Sequence, residues 1–156
     1  MNYELKNRQR HSERQRERSA QRLKLRIEGA SVLVVEDDED LRSLYAAVLD
    51  FEGYRVSVAA NGAEALEQIA DGHYDLLLTD RQMPVLDGEN LVTTLRSAGV
   101  RIPIVMLSGS LRDASLPEHI ASEVAIALPK PSTPTAILAA VYLTLCHRLP
   151  ALAAAA

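Results

Sequence analysis

Acidic residues follow directly after two short apolar runs of this sequence. Val32-Leu33-Val34-Val35 leads into Glu36-Asp37-Asp38, and Leu76-Leu77-Leu78-Thr79 leads into Asp80. Short aliphatic and β-branched runs are typical of buried strands. If these strands are neighbours, their carboxylates converge and repel one another, at a cost on the order of several kcal/mol. A hard divalent cation such as Mg²⁺ would relieve the repulsion. Because its coordination commonly includes a phosphate oxygen, the pattern indicates phosphoryl chemistry.

Two further polar side chains follow apolar runs later in the chain. Met106-Leu107 leads into Ser108-Gly109, a hydroxyl beside a glycine, and Leu128-Pro129 leads into Lys130-Pro131, an ammonium between two prolines. In open parallel sheets, ligands bind at the carboxyl ends of the strands. We therefore expect four strand ends to bring polar side chains to one shallow site, made of Glu36, Asp37, Asp80, Ser108 and Lys130.

The elements that must position these residues alternate between two periodicities. Apolar runs predict five strands, over residues 32–35, 55–58, 76–78, 102–107 and 124–128. Between the strands, apolar residues recur at helical spacing, first as Leu41, Leu44, Tyr45, Val48 and Leu49. Five strand–helix repeats with short connections predict an α/β fold, a doubly wound five-stranded parallel sheet with helices on both faces.

Capping residues and prolines set the predicted helix ends. Asp38, Asn61 and Asp87 each precede an apolar stripe and can accept hydrogen bonds from the first helical turn. Pro117 interrupts the weakest helical pattern, so only a short helix is expected there. Pro134 takes the first position of the last helix, whose predicted core stripe is Ile137, Leu138, Val141 and Leu145.

Charge is unevenly distributed along the chain. The 156 residues, about the size of one domain, have a formal net charge of −4. Residues 1–28 hold nine Lys or Arg against four Glu, a net +5, which leaves −9 for the remainder. We expect a basic arm over 1–29, a globular domain over 30–148 and an alanine-rich tail over 149–156. The arm is interpreted either as a solvated, partly disordered segment or as a helix that orders on an anionic partner. A helix would align one positive stripe, made of Arg10, Arg14, Arg18, Arg22 and Arg26.

The composition excludes several classes of protein. A single cysteine, Cys146, rules out an internal disulfide and fits a reducing compartment. The first 28 residues lack the apolar core of a secretory signal, and the longest uncharged stretch, 131–146, is too short to span a bilayer comfortably. We therefore expect a cytoplasmic protein without a membrane span. The four histidines show no metal-binding spacing: His11, His73, His119 and His147.

Four segments in a fixed order resemble the receiver domain of two-component response regulators. These are VLVVEDDEDLR, TDRQMPVLDG, IPIVMLSGS and LPKPSTP, and the resemblance covers about residues 30–147. Each segment alone is a weak signal, but the spacings are also similar, with 28 residues from Asp80 to Ser108 and 22 from Ser108 to Lys130. The resemblance implies a flavodoxin-like sheet with strand order 2-1-3-4-5.

A magnesium site is the first functional implication of this resemblance. Asp37 would bind Mg²⁺ directly, and Glu36 directly or through water. Asp80 would also face the ion, and Gln82 would contribute its backbone carbonyl.

A phosphoacceptor is the second implication. Asp80 would attack the phosphohistidine of a sensor histidine kinase or of a histidine phosphotransfer protein and form an acyl phosphate. Ser108 would hydrogen-bond a phosphoryl oxygen, and Lys130 would pair with Asp80 at rest and with the phosphate after transfer. The Lys130–Pro131 bond would be cis. Such a protein phosphorylates and dephosphorylates itself and is not a turnover enzyme.

Departures from the family pattern leave an alternative open. Family members usually carry an aromatic residue three positions before the lysine, where this chain has Ala127. A non-phosphorylated scaffold or adaptor of receiver fold, with an anion-binding arm, is therefore the second interpretation. A haloacid-dehalogenase-type phosphatase is disfavoured, because it needs a second aspartate where this chain has Gln82. Only HRLPALAAAA follows Cys146, so we expect signalling by protein contact without an output domain.

Overall fold

Among the described residues from Ser31 to Ala153, five strands alternate with five helices. The computed structural model describes Arg14, Arg18 and residues 27–109 and 116–153, of which 148–153 by their backbone alone. The strands are β1 (Ser31–Val35), β2 (Arg55–Ala59), β3 (Leu76–Asp80), β4 (Ile104–Ser108) and β5 (Ile126–Pro129). The helices are α1 (Glu39–Phe51), α2 (Gly62–Asp71), α3 (Gly88–Ser97), α4 (Glu118–Ala121) and α5 (Pro134–Ala153).

All five strands are parallel and lie in the order β2-β1-β3-β4-β5. This confirms the predicted sheet and its order. The register aligns the carboxyl ends, because Val35 pairs with Thr79, Asp80 with Leu107 and Ser108 with Pro129. Polar residues at or just after these ends therefore share one edge of the sheet.

Helices cover both faces of the sheet, as predicted. On one face, α1 and α5 pack Tyr45, Leu49, Ile137 and Val141 onto β1 and β3. On the other, residues of α2, α3 and α4 pack onto the opposite side chains of the same strands: Ala65, Leu91, Val92, Leu95 and Ile120. Every residue of β3 and of β4 is buried, as two covered faces require.

The predicted capping residues begin their helices. Asp38, Asn61 and Asp87 each accept a hydrogen bond from the backbone N–H three residues later, at 2.9, 3.0 and 2.8 Å. Pro134 is the first residue of α5, and Pro117 directly precedes the four-residue α4, both as predicted. The caps fix where each helix leaves the strand before it.

Three predicted details are wrong. The strand predicted from residue 102 begins at Ile104, because Pro103 has no N–H to enter the ladder. The strand predicted from residue 124 begins at Ile126, because the N–H of Val124 still bonds the carbonyl of Ile120 at the end of α4. Leu44 is 47% exposed, since it precedes Tyr45 and so projects about 100° away from it around α1.

The predicted division into three parts extends beyond the described residues. Within the arm, Arg14 and Arg18 are helical and exposed, and Ile27 packs against the core cluster between the sheet, α1 and α5. The rest of residues 1–26 lies outside the described residues. Helix α5 continues through Ala153 and so includes part of the predicted tail. The three-part division stays a prediction.

Candidate functional site

Four polar side chains lie at the carboxyl edge of the sheet. Glu36 follows β1, Asp80 and Ser108 end β3 and β4, and Lys130 follows β5. Glu36, Asp80 and Ser108 are 1%, 6% and 2% exposed. Because the sheet order places β1, β3, β4 and β5 side by side, residues distant in sequence meet here.

Glu36, Asp37 and Asp80 form an acidic cluster open to solvent on one side. One ligand oxygen from each lies within 4.8 Å of the others, and Asp37 is exposed whereas the other two are buried. The buried Oε2 of Glu36 lies 2.7 Å from the Lys130 ammonium, and no hydrogen bond from another described residue reaches it. A set of three carboxylates that shares one ammonium fits a hard cation such as Mg²⁺. These residues would hold it.

The Lys130 ammonium bridges the two buried carboxylates of this cluster. Its Nζ lies 2.6 Å from Asp80 Oδ2 and 2.7 Å from Glu36 Oε2. Burial pulls the pKa of Lys130 down, but the hydrogen bonds and charges of Asp80 and Glu36 outweigh burial and hold the pKa above its ordinary value. Lys130 is therefore a fixed positive charge beside Asp80. The peptide bond that follows, Lys130–Pro131, is cis, as predicted.

Glu36 is a carboxylate of the site whose charged form is disfavoured by its surroundings. Its burial raises the pKa above the ordinary value, and the nearby charge of Asp80 adds to this, while Lys130 opposes it only in part. One ammonium is shared between two carboxylates, so a second cation would stabilise the charged form of Glu36.

Backbone groups of the loop after β3 contact Asp80. The N–H of Gln82 donates to Asp80 Oδ1 at 3.3 Å, and the N–H of Gly88 donates to the carbonyl of Arg81 at 2.9 Å. A Cβ on Gly88 would lie 2.2 Å from the carbonyl oxygen of Asp80, so only glycine permits this approach. Gln82 itself is exposed, and the metal-binding role of its carbonyl stays a prediction.

Ser108 and Ala127 lie on the β4–β5 side of the site. The carbonyl of Ser108 accepts the backbone N–H of Lys130 at 2.7 Å, which ties the loop carrying the ammonium to the end of β4. Ala127 pairs with Met106 and is half-buried. Its methyl group is all that stands at the position where an aromatic ring was expected from the resemblance.

Arg42 is a residue of this site that the sequence analysis missed. Its Nη1 donates to the backbone carbonyls of Glu36 and Asp37, at 2.7 and 3.2 Å. The signal that could have found it is its place one turn into α1, where a long side chain can reach back to the end of β1.

No helix in the described parts of the chain has both the length and the apolar character needed to cross a bilayer.

Comparison with known proteins supports the family resemblance noted from the sequence. The model of a family described as the response regulator receiver domain matches residues 32–142. The response regulator MprA of Mycobacterium ulcerans is 44% identical over 103 residues, which are 64% of this chain and 43% of that protein. This chain thus spans less than half the length of such curated relatives.

Solved structures with the same fold include receiver domains. The receiver domain of the Francisella response regulator 1452 superposes with a TM-score of 0.70 at 29% identity, over 78% of this chain and 99% of that one. The Thermotoga maritima response regulator TrrA, solved in complex with Mg²⁺ and BeF, gives 0.66 at 26% identity, over 74% and 98%.

Proposed function

Because the chain belongs to the response regulator receiver family, we propose that it is the phosphoacceptor of a two-component phosphorelay, in which a phosphoryl group passes from a phosphohistidine to Asp80. The observation that carries the proposal is the Lys130 ammonium, 2.6 Å from Asp80 within an acidic cluster. An aspartate paired with a fixed cation beside a cation site suits attack on a phosphoryl group.

In the transfer, a carboxylate oxygen of Asp80 forms a bond to phosphorus. The bond between phosphorus and the histidine nitrogen breaks, and its electron pair stays on the imidazole. Lys130 then pairs with the phosphoryl oxygens, and the Ser108 hydroxyl donates a hydrogen bond to one of them. The products are an acyl phosphate on Asp80 and a free histidine on the donor.

Magnesium belongs to the same proposal. Glu36, Asp37, Asp80 and the backbone carbonyl of Gln82 would hold Mg²⁺, which neutralises charge on the phosphoryl oxygens. The Thermotoga relative, whose structure contains Mg²⁺ and BeF, supports this assignment. The acidic cluster of this chain supports it independently.

The phosphodonor would be a sensor histidine kinase or a histidine phosphotransfer protein in the cytoplasm, and the basic arm would contact an anionic partner. We propose that the receiver signals through direct protein contact. The protein would phosphorylate and dephosphorylate itself without acting on a separate substrate.

Labelling with a small phosphodonor tests the function. The protein is incubated with acetyl phosphate and Mg²⁺, and intact mass is measured for the wild type and for Asp80→Asn. The wild type should gain one phosphoryl group, and the gain should vanish in Asp80→Asn and with EDTA in place of Mg²⁺. Labelling that survives either change contradicts the proposal.

Ala127 favours one second candidate, a receiver-fold scaffold that is not phosphorylated. Ala127 of β5 has no aromatic ring that could move together with the Ser108 hydroxyl. The usual route by which this family transmits phosphorylation is therefore missing. The scaffold predicts no labelling of the wild type under any of these conditions, together with partner binding that is indifferent to Mg²⁺ and acetyl phosphate.

A further inference from the structure

We infer that Arg42 is a positioning residue of the cation site, which holds the backbone of Glu36 and Asp37 so that their carboxylates face the ion. The inference rests on the proposed function, in that the ion is the Mg²⁺ that phosphoryl transfer requires.

The geometry places one guanidinium nitrogen against two consecutive carbonyls. Arg42 Nη1 lies 2.7 Å from the carbonyl oxygen of Glu36 and 3.2 Å from that of Asp37. A terminal guanidinium nitrogen has two hydrogens, so one is available for each carbonyl. Strand β1 ends at Val35, and both carbonyls lie beyond it. The side chain therefore fixes the segment from which the two acidic residues project.

The backbone of Arg42 is anchored to the same segment. Its N–H donates to the carbonyl of Asp38 at 2.9 Å, and the Asp38 side chain caps α1 at Leu41. Residues 36–38 are thus held between the end of β1 and the first turn of α1. Removing the guanidinium would leave the two carbonyls without these donors and free the segment to turn.

Arg42 acts through hydrogen bonds to the backbone and not by pairing with carboxylates. Within the described residues, no ion pair joins its guanidinium to Glu36, Asp37 or Asp80. Its position beside an acidic cluster would otherwise suggest simple charge neutralisation. The two roles can be separated, because they predict changes of opposite sign.

A positive charge near a cation site repels the cation. If Arg42 acted only through its charge, Arg42→Met would strengthen Mg²⁺ binding. The variant would no longer repel the cation, and the negative charge of the carboxylates would be less neutralised. If it acts by positioning, Arg42→Met weakens Mg²⁺ binding, because the ligands are no longer held together. Residues that orient metal ligands typically contribute about tenfold or more to metal affinity.

Titration with Mg²⁺ alone, followed by the backbone amide spectrum of ¹⁵N-labelled protein, measures the affinity without any phosphoryl transfer. The variants are Arg42→Met, Arg42→Lys and the control Arg55→Met, an exposed arginine at the other end of the sheet. We expect roughly tenfold weaker binding in Arg42→Met. Lysine keeps the charge on a stem one atom shorter, so Arg42→Lys should be weakened at least as much. Arg55→Met should match the wild type.

Each outcome bears on the inference separately from the proposed function. Unchanged or tighter Mg²⁺ binding in Arg42→Met overturns it, and so does full recovery in Arg42→Lys. Equal weakening in Arg55→Met overturns it as well, because the loss would then be general. A wild type that binds no Mg²⁺ overturns both proposals. A wild type that binds Mg²⁺ but takes no phosphoryl group from acetyl phosphate overturns the function alone.

Discussion

Val85 has a backbone conformation that β-branched residues avoid. Its φ is 71°, and the N–H of Leu86 donates to the carbonyl of Pro84 at 2.9 Å, so Val85 is the central residue of a γ-turn of positive φ. This form of the turn is strained for any L-residue. The side chain is 83% exposed, so little packing offsets the strain. The strain lies in the loop that follows Asp80.

Val85→Gly should therefore stabilise the protein. Relief of the strain is worth about 1–3 kcal/mol, and the extra freedom of glycine in the unfolded chain takes back about 0.5–1 kcal/mol. Urea unfolding should show a gain of about 1 kcal/mol. Val85→Ala keeps a Cβ and should gain little. A less stable glycine variant would show that the valine makes contacts that matter more than its strain.

Tyr54 should make the protein sensitive to alkaline pH. It is buried in the core cluster under α1 and α5, and burial raises its pKa to about 12. Between about pH 10 and pH 12 the native state keeps a proton that the unfolded state loses. The stabilisation is complete below this window and is lost as pH rises through it. The raised pKa of Lys130 acts in the same direction.

The comparison of Tyr54→Phe with the wild type isolates the tyrosine. Urea unfolding is measured near pH 9 and near pH 11. Between these two pH values, the free energy of unfolding of the wild type should fall by roughly 1 kcal/mol more than that of Tyr54→Phe. Identical losses in Tyr54→Phe and the wild type would show that Tyr54 has no such role.

At the scale of elements, Arg96 joins α3 to the loop before β4 and to the loop before β5. Its guanidinium donates to the carboxylate of Glu123 at 2.6 Å and to three backbone carbonyls, those of Val100, Ile102 and Glu123, at 2.9, 3.1 and 3.0 Å. The side chain is 13% exposed. A planar group with five donors suits this arrangement better than an ammonium does.

Arg96→Met should lower the free energy of unfolding by about 2–3 kcal/mol, because it leaves carbonyls and a carboxylate unpaired. Arg96→Lys should recover only part of this. Arg101 provides a matched control, since it pairs with the same Glu123 at 3.8 Å but is 68% exposed. Chemical denaturation of Arg101→Met should show a change of about 0.5 kcal/mol or less. Similar losses in both methionine variants would contradict the role of Arg96.

Local signals predicted most of the elements. The caps Asp38, Asn61 and Asp87 were identified because a capping side chain acts within three residues of its own position. The starts of β4 and β5 were misplaced because apolar character continues past the residues that pair. The roles of Arg42 and Arg96 were missed because most of their partners are backbone carbonyls, which leave no trace in side-chain type.

At the scale of the molecule, the site depends on the order of the strands. Convergence of Glu36, Asp80 and Lys130 requires β1, β3, β4 and β5 to lie side by side. Apolar runs predicted that strands exist, but the order of strands came from the family resemblance. The distances of Lys130 to both carboxylates depend on side-chain placement, which no spacing in the sequence determines.

Ala127 should limit how strongly phosphorylation changes the whole molecule. A phosphoryl group shifts a conformational equilibrium only by the contacts that differ between the two states. Under the proposed function Ser108 would offer such a contact, whereas Ala127 has no ring to bury or release. We expect partner affinity to change by less than about a hundredfold, ~2.7 kcal/mol, on addition of beryllofluoride and Mg²⁺. The partner is the protein retained by Asp80→Asn and identified by mass spectrometry.

Partner affinity is measured in the same way for Ala127→Tyr, where beryllofluoride and Mg²⁺ are expected to change it more than in the wild type. A wild-type change above a hundredfold would show that the switch works without the ring.

The central claim is that Asp80 receives the phosphoryl group, and locating the modified residue tests it most directly. After reaction with acetyl phosphate and Mg²⁺, borohydride reduces an aspartyl phosphate to homoserine, and peptide mass spectrometry locates the change. The account predicts homoserine at position 80, absent when EDTA replaces Mg²⁺ and absent in Asp80→Asn. Homoserine at Asp37 or Asp38 instead, or no homoserine in the wild type, would contradict it.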